Sequence, residues 1–309
     1  MKRTYLFFLL LFLVHVLWAE SQITGSRELS LQASSRVEAM LGFTQSLRFP
    51  FMQGTSPLTE GNNITLNLGA EVTPISLRAL TELVWTPIAF FELSAGGHIG
   101  SGWNINLFGQ DIYGIGLNQP DDNGSADGKS EHSGSAFDGM HWKMQGGAAV
   151  QADLAAFFPG AWNHLVMRSY HEINHRGYTR ASSGLSWYFE NDDGENRNGL
   201  NYYSNTVIGY QMPIILSMVA LMAEAELFLY NTPDRSLWGD DRIYWIFSAL
   251  FNFSLTPQFD IGLGLQFHTQ RNYLQSNWEE LFYQNRLIDN SRPVRLEFYR
   301  FATVMTYRF

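Results

Sequence analysis

Residues 258–268 read QFDIGLGLQFH. Phe259, Ile261, Leu263, Leu265 and Phe267 fall on one face, and Gln258, Asp260, Gly262, Gly264, Gln266 and His268 on the other. Successive side chains of a strand point to opposite faces, so this is a two-faced strand. The preceding segment repeats the pattern, with Ile243, Trp245, Phe247, Ala249, Phe251, Phe253 and Leu255 in one row. Such runs last about 10 to 15 residues, against the 5–6 typical of soluble sheets. A small, polar face would make a poor soluble core, and a bulky apolar face a poor wet surface. Turned inside out, with the apolar row toward lipid and the polar row toward a lumen, both faces make sense. The sheet must then close, because an open edge in hydrocarbon leaves backbone N–H and C=O groups unpaired.

The end of the chain alternates again. Tyr299, Phe301, Met305, Tyr307 and Phe309 form an apolar row opposite Arg300, Thr306 and Arg308, and the last residue is aromatic. This segment resembles the terminal strand of bacterial outer-membrane β-barrels. The resemblance implies an outer-membrane location, contact with membrane lipids, and a signal in these five residues that the barrel assembly machinery reads.

Membrane barrels of this kind have short periplasmic turns and long external loops, and proline marks turns because it cannot donate to a ladder. Four proline-bearing turns stand between alternating segments, at Thr86-Pro87, Phe158-Pro159-Gly160, Met212-Pro213 and Thr256-Pro257. Longer polar segments fall at 50–61, 104–141, 191–199, 231–241 and 272–292. The alternation of turns and loops predicts an all-β, closed antiparallel barrel of ten strands over residues 36–309, with twelve and eight as alternatives. Within 62–85 the apolar parity shifts at Pro74, which a β-bulge explains. Residues 162–189 form a second overlong segment that would split near Asn174–Gly177.

Lys2 and Arg3 precede an apolar run from Leu6 to Trp18. This pattern predicts a secretory signal peptide over residues 1–19, followed by a periplasmic segment over 20–35. Removing Lys2 and Arg3 leaves 18 basic against 29 acidic residues. That balance argues against nucleic acid as a partner. The chain has no Cys, which excludes disulfide scaffolds and thiolate metal sites. No cofactor motif or metal-spaced His cluster stands out. Asp192–Asn196 has the residue types of a calcium loop without its full ligand spacing.

The lumenal face carries the acids Glu38, Glu71, Glu82, Glu92, Asp153, Glu172, Glu224, Glu226 and Asp260. Its bases are Arg48, Arg78, Lys143, Arg168 and Arg300, and His98 and His268 lie there too. A charge facing lipid at mid-depth costs a few kcal/mol, so the lumen is where these groups belong. Two readings stand. Paired charges fill a narrow lumen as a plug, or gaps between them form a small cation-favouring path. Glu224 and Glu226 share a lumenal row with no base between them and must be neutralised by a neighbouring base, a proton or a cation. An enzyme reading places a lipid hydrolase on the outer rim, with His171 as base and Ser182 or Ser183 as nucleophile. His171 and Glu172 point to opposite sides of a strand, which sets them poorly for a relay. A third reading gives the surface loops an extracellular ligand, as in an adhesin.

Overall fold

The computed structural model describes residues 23–107, 110–119, 131–133, 136–182, 184–190, 196–230, 235–274 and 287–309. The signal-peptide expectation therefore lies outside the described residues. The barrel strands are β1 (Thr24–Ser34), β2 (Ala39–Pro50), β3 (Asn63–Thr73), β4 (Ser76–Ile88), β5 (Phe91–Gly102) and β6 (His141–Asp153). They continue with β7 (Leu165–Tyr178), β8 (Gly199–Gln211), β9 (Leu216–Phe228), β10 (Tyr244–Ser254), β11 (Phe259–Arg271) and β12 (Val294–Arg308). Each pairs antiparallel with its sequence neighbour, and β1 pairs with β12 from Glu28↔Arg308 to Ser34↔Ala302, which closes the cylinder.

The barrel has twelve strands, not the ten that the turn count predicts. Two hairpins account for the difference. Thr73 pairs with Ser76, so Pro74-Ile75 is a two-residue turn. In it Val72 lies opposite Leu77, which flips the apolar parity just as a bulge would. The second addition is β1, from the stretch expected to stay outside the barrel. Its outward residues Leu29 and Leu31 lead into Leu41 and Phe43 with unchanged parity, because Ala33 pairs with Ala39 across a five-residue reversal without proline. These additions also invert the expected side of residues 51–62. They join β2 to β3 at the end that carries both termini, where Phe51 packs edge-on against Trp85 at 6.4 Å. Residues 162–189 hold one barrel strand, β7, and the rest of that segment runs into the loop beyond it.

The outer wall is apolar. Leu31, Leu68, Leu83, Ile99, Leu221 and Phe301 are among the large hydrophobic side chains left exposed. In water such a belt would be unstable; in lipid it is the contact surface. At the end opposite the termini, residues 103–140, 179–198, 229–243 and 272–293 make the long connections. By the rule of long external loops this end is extracellular. Part of this material folds back over the mouth. Short strands Ile115–Gln119, Trp187–Phe189 and Glu131–Ser133 pair into a small sheet, and Ile115, Tyr178, Trp187 and Phe189 form a buried apolar cluster.

Candidate functional site: the lumen and its cap

Inward-pointing charges meet across neighbouring strands. Arg78 on β4 donates to Glu71 on β3 at 2.6 Å. Arg300 on β12 donates to Glu38 and to Gln266 on β11, both at 2.6 Å, and Gln266 donates on to Ser248 on β10 at 2.9 Å. This chain of groups ties the seam between β12 and the start of β2. Burial works to raise the Glu38 carboxyl, but hydrogen bonds from Ser34 and Arg300 outweigh it and hold the group below its ordinary value.

On the opposite side, Glu172 on β7 is nearly inaccessible. It accepts from Lys143 at 2.7 Å, from Tyr170 at 3.0 Å and from Asn174 at 2.8 Å. Burying a carboxylate at this cost requires such a full shell of donors. Gly147 on β6 makes room for Tyr170, since a Cβ there would lie 2.5 Å from its hydroxyl oxygen. The two acids on one row of β9 have separate partners: Arg176 donates to Glu226 at 2.9 Å, and the Tyr203 hydroxyl donates to Glu224 at 2.6 Å. Arg168 reaches Glu92 at 2.9 Å. Arg308 spans Asp260 at 2.5 Å and Glu28 at 3.2 Å near the periplasmic end.

Between these pairs lies open space. A cavity of about 480 Å³ runs past Ser26, Glu28, Ser46, Asn67, Glu71, Glu82, His98 and Arg308. A second, of about 270 Å³, adjoins it past Glu82, Glu92, Gln145, Arg168 and Tyr170. Glu82 and Gln145 line both. Glu82 accepts from the Asn67 amide at 3.3 Å and meets no base among the described residues.

Above the cavities sits the cap. The His98 and His141 rings lie 4.8 Å apart, His141 packs against Phe189 at 4.7 Å and Trp187 at 5.1 Å, and the Arg78 guanidinium lies 5.8 Å from the Phe189 ring. Ser76 donates to Glu190 at 2.6 Å, which pins the end of the Trp187–Phe189 strand to β4. Beside it, Asp240 is fully buried and joins three segments of chain. It accepts from Arg197 at 2.9 Å and Tyr230 at 2.8 Å, and pairs with Arg271 at 2.7 Å. The Arg197 guanidinium stacks 4.0 Å from the Trp238 ring, and that of Arg271 lies 4.4 Å from the Tyr244 ring. Burial and the Asp240 carboxylate push the Tyr230 hydroxyl well above its ordinary value.

Several predicted site residues lie elsewhere. Arg48 and Asp153 stand at the periplasmic rim, where Arg48 donates to the Gly61 carbonyl and Asp153 caps a helical turn and pairs with His164 at 2.7 Å. His268 faces Glu297 at 3.5 Å and stacks on Tyr299 at 4.3 Å. Tyr299 leaves the apolar row because the ladder slips between Gln266↔Arg300 and Phe267↔Phe298. Phe301, Met305, Tyr307 and Phe309 are exposed on the outside. His171 points out from β7 and meets Ser169 and Tyr202; Ser182 is exposed beyond the strand. Ser183 lies outside the described residues, as does the calcium-like stretch up to Glu195. The pattern missed Glu28, Arg176, Arg197, Asp240 and Arg271. Of these, Arg176 extends the even-numbered row of Arg168, Glu172 and Asn174, so its lumenal position was there to be found.

A closed cylinder with an apolar exterior and a charged, partly hollow interior defines an outer-membrane β-barrel with porin-like architecture. No protein-family model matches the chain, and no curated protein matches it in sequence. Among solved structures it is similar to the KdgM porin, with 10% identity and a TM-score of 0.39 over 92% of this chain and 99% of that one. It is also similar to CdiB from Acinetobacter baumannii, with 7% identity and a TM-score of 0.37 over 92% of this chain and 60% of that one. A third is a Salmonella typhi OmpF complex with Daunomycin, with 7% identity and a TM-score of 0.28 over 94% of this chain and 98% of that one. Likenesses this distant leave the functional reading to the chain's own residues.

Proposed function

We propose that the protein is a narrow outer-membrane pore for small polar solutes, with a preference for cations, whose extracellular mouth is covered by the Trp187–Phe189 strand. The carrying observation is the pair of adjoining polar cavities inside a closed barrel. A lumen meant only as a plug would fill that space with side chains. Glu82, facing both cavities without a basic partner among the described residues, supplies the cation preference. The exposed terminal row of Phe301, Met305, Tyr307 and Phe309 is the surface that the barrel assembly machinery would read. Planar-bilayer recording tests the pore. Wild-type protein should give small discrete steps, and Phe189→Ala, which removes the ring between His141 and Arg78, should enlarge them. Absence of steps in both proteins would remove the pore reading.

A further inference from the structure

The outer wall carries a bonded cluster of polar side chains on β7 and β8. On β7 and β8 the outward row, marked by the exposed Met167, Ile173, Leu200 and Ile208, also carries Ser169, His171, Tyr202, Ser204 and Thr206. A lipid-facing wall gains nothing from a cluster of polar side chains, because each loses hydration unless it is bonded. Here they are bonded in a chain. His171 Nε2 lies 3.1 Å from Ser169 Oγ, His171 Nδ1 lies 2.7 Å from the Tyr202 hydroxyl, and Ser169 Oγ lies 2.8 Å from the Thr206 hydroxyl.

The surroundings leave this chain accessible. The row across four strands reads Ala148, His171, Ser204, Ala225, and the next reads Val150, Ser169, Thr206, Ala223. Small residues therefore flank the pair, and His171 itself is exposed. Depth fits as well. Tyr210, whose hydroxyl bonds the Trp162 carbonyl, marks the periplasmic side of the belt. Tyr202 lies eight residues further up β8. At about 3.3 Å per residue and a tilt near 40°, that places it about 20 Å above Tyr210, toward the outer leaflet.

We propose that Ser169 and His171, with Tyr202 as a positioning residue, form a lipid-facing site that hydrolyses acyl esters of outer-leaflet lipids. With His171 protonated on Nδ1 and donating to Tyr202, Nε2 accepts the Ser169 proton as Oγ bonds to the ester carbonyl carbon. The Thr206 hydroxyl is the nearby donor for the carbonyl oxygen as it becomes negative. Collapse breaks the ester C–O bond, and the leaving alcohol takes the proton from His171. Water then adds to the acyl-serine with His171 as base, and collapse releases the fatty acid and restores Ser169. This pairing differs from the one expected from sequence, because Ser169 replaces Ser182 and Ser183. It stands independently of the pore.

The test uses the full barrel refolded in mixed micelles, with its folded state checked by heat-modifiable gel migration. A fluorophosphonate probe should label Ser169, as mapped by mass spectrometry, and p-nitrophenyl palmitate and a diacyl phosphatidylethanolamine should be turned over. Ser169→Ala should abolish labelling and turnover. His171→Ala should lower turnover on the order of 100-fold. Tyr202→Phe should lower kcat roughly 10- to 100-fold with KM unchanged. Ser182→Ala should behave as wild type. Folded wild-type protein with neither adduct nor turnover overturns the proposal. So does cross-linking that finds this face held against a second copy of the chain with Ser169 unlabelled.

Discussion

Asp240→Asn should loosen the extracellular cap without unfolding the barrel. Asp240, Arg197 and Arg271 are 0–2% exposed, and the carboxylate meets both guanidiniums within 3 Å. An amide keeps the shape but removes the negative charge, which leaves two cations buried without that carboxylate. Breaking a buried pair in this way costs about 3–5 kcal/mol. Each 1.4 kcal/mol is a factor of ten, so the open population of this region should rise by roughly two to four orders of magnitude. Hydrogen exchange read by mass spectrometry would measure it on peptides covering 196–201, 228–230, 235–243 and 287–290. There Ile288 N–H donates to the Leu237 carbonyl and Leu229 N–H to the Leu200 carbonyl. Peptides from β2–β5 serve as the unchanged reference. Combining Arg197→Met, Asp240→Leu and Arg271→Met should restore most of the protection, because apolar replacement of the whole cluster removes the buried charge rather than stranding it. Exchange in the cap equal to wild type, or faster exchange spread evenly over the wall, would refute the reasoning.

Three further outcomes follow from the lumen. Glu82→Gln should shift the reversal potential under a salt gradient toward that of a non-selective pore, while Glu226→Gln, whose wild-type carboxylate is held by Arg176, should shift it less. Gly147→Ala should destabilise the barrel by about 1–3 kcal/mol in a urea titration, since the new methyl meets the Tyr170 hydroxyl and ring. Glu38 has its folded carboxyl held below the ordinary 4.5. Its contribution is therefore complete above that value and is lost as pH falls through the lower folded one. The loss of thermal stability below pH 4.5 should be shallower in Glu38→Gln than in wild type.

The barrel was legible in the alternation because lipid and lumen impose opposite demands on adjacent residues. Strand number was not, and the reason is local. A two-residue turn at Pro74-Ile75 and a one-residue bulge both flip parity, so the pattern alone cannot separate them. The reversal over residues 34–38, odd in number, preserves parity and lacks proline, so it leaves no mark at all. These two features had to be misread together to keep an even count, which is why ten was self-consistent. The register slip at Phe298–Arg300 was hidden in the same way, and it carries Tyr299 from the outer row to the face of His268.

The lumen's contents were easier to read than its connections. Parity shows which charges point inward but not which strand supplies each partner, and so Glu224 and Glu226 looked alike. In the folded barrel one faces a tyrosine hydroxyl and the other an arginine. Where the lumen stays open has a compositional cause. The inward positions of β2–β5 include Gly42, Thr44, Ser46, Gly69, Ser94 and Gly96, too small to span to the far wall. On β7–β9 the inward positions carry Tyr170, Glu172, Arg176, Tyr203, Glu224 and Glu226, long groups that reach one another. The cavities accordingly lie against β1–β7 and Arg308 of β12. One side of the cylinder thus braces it while the other leaves room for a solute. Glu82 belongs to the open side, which is why it lines both cavities rather than meeting a base.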